Sequence, residues 1–306
     1  MKNIFILGAQ KCGTTSLANA LKRSNEKIEL STPKEPMILS LGDFEQHRSI
    51  FCSSTGTFFL SNQEKINKYS TLFNCPDNIK LEASTSYLMS NSAYSLINDT
   101  FPDSKVLIVL RDPIKRLTSS YWHYIKSGAI TQKFDRAIEF GPSHLINIGF
   151  YEENIKSVIS TLGKNRVFVI SDRHMYKEPE LLSKALSSFL DIPIKALKFE
   201  KDNTGKYPLI FSLQVFINFL KHASNMNFSH TSTQKGLLSK YGFCGGALHA
   251  LTKLNLLRPN RPVIKSKLLG PIKELYKLKN PNIDNYIDYG DSKHWYKDHD
   301  DFLVHY

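Results

Sequence analysis

The segment Ile4-Phe5-Ile6-Leu7-Gly8-Ala9-Gln10-Lys11-Cys12-Gly13-Thr14-Thr15-Ser16-Leu17 reads as a strand, a glycine-bounded loop and the start of a helix. Gly8 and Gly13 let the backbone turn tightly with its N–H groups inward, and a helix starting near Thr14 adds the positive end of its dipole. A phosphate or sulfate group would be satisfied there. The loop departs from that of nucleotide kinases, whose Gly-x-x-x-x-Gly-Lys-Ser/Thr pattern needs Lys directly after the second glycine. Here that place holds Thr14, and Lys11 lies inside the loop. No carboxylate to hold magnesium is evident beside Thr14 or Thr15, so metal-assisted chemistry on ATP loses support. A transferring group with less negative charge than phosphoryl can be served by a lysine and backbone donors.

The run Gln10 to Leu17 resembles the 5′-phosphosulfate loop of sulfotransferases that use 3′-phosphoadenosine 5′-phosphosulfate (PAPS), especially the branch of heparan sulfate and bacterial carbohydrate enzymes. The resemblance implies PAPS as sulfuryl donor, PAP (the adenosine bisphosphate) as product, no metal requirement, and donor contacts from Gln10, Lys11, Cys12, Gly13, Thr14, Thr15 and Ser16. It also implies an Arg at a strand end, followed eight positions later by a Ser, that together bind the 3′-phosphate. Arg111 and Ser119 in the stretch Val106 to Tyr121 match these two places. A guanidinium grips phosphate through two donors and a hydroxyl adds a neutral one. Arg111 could instead pair with an acid such as Asp112.

The segment Lys80-Leu81-Glu82-Ala83-Ser84-Thr85-Ser86-Tyr87 is similar to a Glu-x-Thr/Ser-Pro-x-Tyr stretch of relatives, with Ala83 where carbohydrate enzymes often have Lys and Thr85 where they have Pro. Asn203-Thr204-Gly205-Lys206 stands where a late loop closes over the nucleotide, which assigns Lys206 to the donor site.

For the chemistry, Lys11 is the candidate to meet charge building up on the departing nucleotide. The segment Ser31-Thr32-Pro33-Lys34-Glu35-Pro36-Met37 resembles the Lys-Glu-x-His motif that supplies a catalytic glutamate in heparan-type relatives, so Glu35 is the candidate base. Pro36 biases Glu35 to an extended backbone. Met37 replaces the usual His, and Met37-Ile38-Leu39 points to a more apolar acceptor mouth. Glu35 could equally be a turn residue paired with Lys34, and His123 is the alternative base.

These residues need a scaffold. Short β-like runs at Ile4–Leu7, Lys27–Leu30, Ile79–Glu82, Val106–Leu110 and Arg166–Ile170 alternate with helical patterns. The expected fold is α/β: a P-loop-containing three-layer arrangement with a central parallel sheet flanked by helices. A helix is expected over Tyr151–Leu162, with Glu152 and Glu153 in its first turn and Gly163 after its end. Another has Asp112 as N-cap and Pro113 first, turns Ile114, Leu117, Tyr121, Trp122 and Ile125 inward, and ends before Gly128. Leu209–Leu220 reads as a buried helix. The expected organisation is a single sulfotransferase domain over 1–306, with a PAPS-binding core at 1–215 and a basic elaboration at 216–306 serving the acceptor or a surface.

The 306 residues are 41% hydrophobic and 22% charged, enough to bury a large core without staples. Cys12, Cys52, Cys75 and Cys244 show neither disulfide nor zinc spacing, which fits a reducing compartment. No run has signal-peptide or membrane-span character, so the expected location is cytoplasmic. Most of the +12 net charge sits between Lys221 and Lys279, where eleven Lys and Arg face the single acid Glu274. Such a field attracts an acidic glycan or an anionic membrane surface; nucleic acid is a weaker candidate, since no aromatic-interleaved motif accompanies it.

The expected activity is therefore sulfuryl transfer from PAPS to a hydroxyl or amine of a carbohydrate acceptor, whether polysaccharide, oligosaccharide or glycolipid. The alternatives are a lipid or small-molecule hydroxyl as acceptor, and, from another class, a P-loop nucleotide kinase or a non-catalytic nucleotide binder.

Overall fold

The structure, a computed structural model, describes residues 3–40, 60–199, 207–223, 250–258 and 260–297. Five strands form one sheet: β1 (Asn3–Gly8), β2 (Ile28–Leu30), β3 (Ile79–Glu82), β4 (Lys105–Leu110) and β5 (Val167–Ser171). Their order is β2-β3-β1-β4-β5 and every pairing is parallel. This is the expected α/β class, a central parallel sheet flanked by helices. Continuous apolar runs are what a parallel strand covered on both faces needs, and Ile4, Phe5, Ile6, Leu7 and Val106 to Leu110 are all fully buried.

Each expected strand is present. The last begins one residue later than its apolar pattern suggests, because Arg166 belongs to a 3₁₀ turn, Lys164–Arg166. The Arg166 guanidinium is drawn away to the carbonyls of Phe101 and Ser104. The helix Tyr151–Leu162 has the predicted limits, with Gly163 at φ 84° where it ends. The apolar helix expected at Leu209–Leu220 runs over Phe211–Ala223.

The chain divides into two compact units. The first contains Met1–Arg116, Ile148–Asp202 and Ile272–Asp298, and hence the whole sheet. The second contains Leu117–Asn147, Asn203–Pro271 and His299–Tyr306. In the second unit, Asn255 ties the helical segment 250–255 to the helix Phe211–Ala223 by donating to Ile210 O at 3.1 Å and Gln214 Oε1 at 3.2 Å. Trp122 packs edge-on against Tyr207 and Phe211.

In the first unit, β1 lies between β3 and β4, and the chain reverses direction of progress across the sheet between β1 and β4. Open parallel sheets place ligands at the carboxyl ends of strands at such a switch point. Residues 8–13 and Arg111 follow those two ends. Among the described residues, no helix is long and apolar enough to cross a membrane.

Candidate active site

The loop after β1 is shaped by its neighbours. The pairing of β1 with β4 shifts between Ile6 and Gly8, after which Ala9 N donates to Val109 O at 2.8 Å. Lys11 adopts a left-handed backbone at φ 69°, and Gly13, at φ 95°, precedes the helix Thr14–Ser24. A side chain at Gly13 would sit 2.9 Å from Tyr176 Oη and 3.0 Å from Met175 Cε, the yielding ends of two side chains, so it is the backbone angle that calls for glycine.

The residues expected in this loop divide by orientation. Gln10, Lys11, Gly13, Thr15 and Ser16 are half-buried. Thr14 is buried at the head of the helix. Cys12 turns inward: its thiol lies 3.7 Å from Tyr151 Oη, and its N–H donates to Ala9 O at 3.2 Å. Burial pushes that thiol up to about 12, so it stays protonated and acts as a packing group. Ser16 shares a hydrogen bond with Tyr176.

Arg111 follows β4 and joins three parts of the first unit. Its NH1 approaches Lys11 O at 3.4 Å, its Nε pairs with Asp172 Oδ2 at 3.3 Å, and its carbonyl accepts from Tyr151 Oη at 2.9 Å. Its acid partner is thus Asp172 rather than the adjacent Asp112. Asp112 instead caps the helix Pro113–Ser127, accepting from Ile114 N at 2.9 Å and Lys115 N at 3.1 Å, while its other oxygen accepts from Tyr296 N at 2.8 Å. Burial raises the Asp172 carboxyl to about 6, against the opposing pull of Arg111. Ser119 lies half-buried on the same helix, just under two turns past its start, and belongs to the second unit.

Glu35 is brought to the loop through its neighbour. Lys34 Nζ lies 2.5 Å from Glu35 Oε1 and donates to Thr15 Oγ1 at 3.1 Å. The other Glu35 oxygen accepts from Thr85 Oγ1 at 3.0 Å. The expected pairing of Lys34 with Glu35 is therefore present, and it links the carboxylate to the anion cradle. His123 lies in the second unit with its ring beside Tyr124. Lys206 lies outside the described residues.

Sequence reasoning assigned no role to Arg116, Asp172, Tyr176 or Glu82. Arg116 is fully buried, near enough to lower the Cys12 thiol, and donates to Tyr276 Oη at 3.2 Å. It adds fixed positive charge behind the loop. No local pattern marks Arg116, Asp172 or Tyr176, because their neighbours come from distant stretches of chain, whereas Glu82 opens the stretch likened above to the Glu-x-Thr/Ser-Pro-x-Tyr segment.

A model of the sulfotransferase domain matches residues 1–238. The chain belongs to the sulfotransferase family. A sulfotransferase from Alicyclobacillus acidocaldarius is 23% identical, with 74% of this chain and 94% of that one covered and a TM-score of 0.53, a likeness of fold. The sulfotransferase domain from the curacin biosynthetic pathway is 14% identical over 91% of this chain and 96% of its own, with a TM-score of 0.46. Mouse sulfotransferase SULT7A1, solved with PAP, is 14% identical over 93% and 86%, with a TM-score of 0.44. Comparison with curated proteins gave no match.

The protein is thus a PAPS-dependent sulfotransferase. Its cradle suits an anionic donor: a loop with two positive-φ residues at 11 and 13 is bordered by the cations Lys11, Arg111 and Arg116. Asp172 opposes this by holding Arg111 Nε. In Asp172→Asn the negative charge is lost while an oxygen acceptor is kept, so PAP should bind on the order of threefold more tightly at pH 8. Wild-type Asp172 becomes neutral as pH falls through about 6, so the gap between the two proteins should close by pH 5. Isothermal titration at both pH values checks this; a gap that does not change with pH contradicts it.

Proposed function

We infer that this sulfotransferase acts on a hydroxyl or amine of a carbohydrate, with Glu35 as base and the 8–16 loop and Arg111 as donor site. The observation that carries the reading is the Lys34 ammonium, shared between Glu35 at 2.5 Å and Thr15 of the loop at 3.1 Å. It sets a carboxylate one side chain away from the anion cradle. The likeness of the Lys34-Glu35-Pro36 segment to the heparan-type motif supports the carbohydrate acceptor.

When bound, PAPS supplies a sulfuryl group already activated by its bond to phosphate. The chain's residues do the rest. Lys11 stabilises the negative charge that develops on the phosphate oxygen as the sulfur–oxygen bond breaks. The inward N–H groups of the loop, with Thr14, Thr15 and Ser16, hold the 5′ end, with Gln10 and the Cys12 backbone completing the turn. Arg111 holds the 3′-phosphate. Glu35 takes the proton released as the acceptor oxygen or nitrogen bonds to sulfur. No metal takes part in this scheme.

In this reading the chain works as one sulfotransferase domain, with 1–215 serving the donor and 216–306 the acceptor side. A cytoplasmic location is the reading that the scattered cysteine spacing supports.

A second reading, in which the acceptor is a lipid or small-molecule hydroxyl and the lipid is met at a membrane, is favoured by the second unit's surface. Phe216, Phe219, Leu251 and Leu254 are all exposed, on two helical segments joined by Asn255, and the exposed Leu257 follows the second. Lys253 and Arg258 lie in the same stretch, as basic interfacial surfaces require.

Transfer from radiosulfate-labelled PAPS is expected without added magnesium, and turnover only with ATP and metal would overturn the scheme. Lys11→Ala should abolish transfer. Glu35→Gln should lower kcat about 100-fold while the Kd for PAP stays within about twofold; unchanged turnover moves the base elsewhere. Co-sedimentation with phosphatidylserine vesicles separates the acceptor readings: pelleting that is lost in Phe219→Ser supports the membrane, and a protein that stays in the supernatant supports a soluble glycan.

A further inference from the structure

Glu82 ends β3 and is fully buried. A carboxyl without solvent must be met by hydrogen-bond donors, or its burial is costly. Ser84 Oγ and Tyr87 Oη both bond to it. Each of those hydroxyls has a second partner in the stretch that carries Glu35. Met37 N lies 2.9 Å from Ser84 Oγ, and Leu39 N lies 3.1 Å from Tyr87 Oη.

The direction of these bonds follows from counting protons. A backbone N–H can only donate, so both hydroxyls accept from the 37–39 backbone and each has its single proton left for Glu82. Two relays therefore run the same way, from Met37 N–H through Ser84 and from Leu39 N–H through Tyr87, and both end on one carboxyl. Ala83 N adds a bond to Lys34 O at 3.3 Å, and Thr85 Oγ1 donates to Glu35 itself at 3.0 Å. The whole stretch bearing Lys34 and Glu35 is thus tacked onto residues 82–87, with Glu82 as the innermost acceptor.

We propose that Glu82 is a positioning residue for sulfuryl transfer: through Ser84 and Tyr87 it holds residues 37–39, and with them the direction of the Glu35 carboxylate and the Lys34 contact to Thr15. The inference rests on the reading of Glu35 as base.

Glu82 also shares an electrostatic environment with Glu35. Burial pushes the Glu82 carboxyl up to about 7, the two hydroxyl bonds oppose this, and the nearby Glu35 charge adds to it. Among the described residues its Oε2 has no hydrogen-bond partner, which costs a neutral acid less than it would a carboxylate. The other ionisable groups facing it are Lys34 from the Glu35 stretch, Tyr87, and Tyr69 from the helix Asn62–Ser70. Both tyrosines are held well above their ordinary range by burial and stay neutral. As pH rises through about 7, Glu82 ionises, and the negative charge it places behind the Glu35 stretch favours capture of the acceptor proton, so kcat should rise over that interval.

The test is the pH profile of kcat and of the PAPS KM in purified full-length Glu82→Gln and Glu82→Ala. Glu82→Gln keeps an oxygen for the two hydroxyls, so it should retain most activity at pH 6 but lack the rise near pH 7. Glu82→Ala should lose about tenfold in kcat with little change in the PAPS KM. If Glu82→Ala does not fold, Ser84→Ala and Tyr87→Phe, which each cut one relay, should show smaller losses confined to kcat. A rise near pH 7 that persists in Glu82→Gln overturns the proposal, as does a parallel loss of kcat, donor affinity and melting temperature in the relay variants. Failure of the base assignment looks different: Glu35→Gln would then keep wild-type turnover, whatever the Glu82 profile.

Discussion

The guanidinium of Arg111 holds two loops to one place. From the end of β4 it reaches the carbonyl of Lys11, in the loop after β1, and the carboxylate of Asp172, after β5. It thus joins the ends of β1, β4 and β5 and fixes the guanidinium beside the loop before any anion arrives, and preorganised charge of this kind costs no reorganisation when a reaction begins. Asp172 moderates it: its charge competes for the guanidinium and disappears as pH falls through about 6.

The sheet makes that contact geometrically available. The order β2-β3-β1-β4-β5 puts β1 and β4 side by side where the connections change direction. The loop after β1 then depends on Gly13, whose left-handed backbone at φ 95° other residues rarely adopt. On the other side, β3 ends in a buried carboxyl whose hydroxyl relays hold the stretch of Glu35. The two sides meet through Lys34, which touches both Glu35 and Thr15. Donor cradle and candidate base thus share neighbours, although they come from separate parts of the chain.

The fold was largely legible because its signals are local. Five apolar runs marked five strands, and the helix Tyr151–Leu162 announced itself by an apolar stripe, acidic first turn and terminal glycine. Asp112 before Pro113 marked a cap that the structure contains. In the candidate site, the loop after β1 and the arginine at the end of β4 could be located from local patterns. It was not legible where partners come from afar: Arg111 pairs with Asp172 across 61 positions of sequence (172 − 111) rather than with its neighbour, and nothing around Arg116 or Glu82 says that they are fully buried. Cys12 shows the same limit in reverse, since its place in the loop does not reveal that its thiol faces Tyr151. Orientation and burial are set by strand register, which single-sequence patterns do not encode.

A crystal structure of the full chain with PAP tests the central claim most directly. The account predicts one nucleotide whose 5′-phosphate is held by the N–H groups of residues 10–16 and whose 3′-phosphate is held by Arg111, with the Asp172 contact loosened. A nucleotide bound away from either group, or bound at the loop with Arg111 still turned wholly to Asp172, would contradict it.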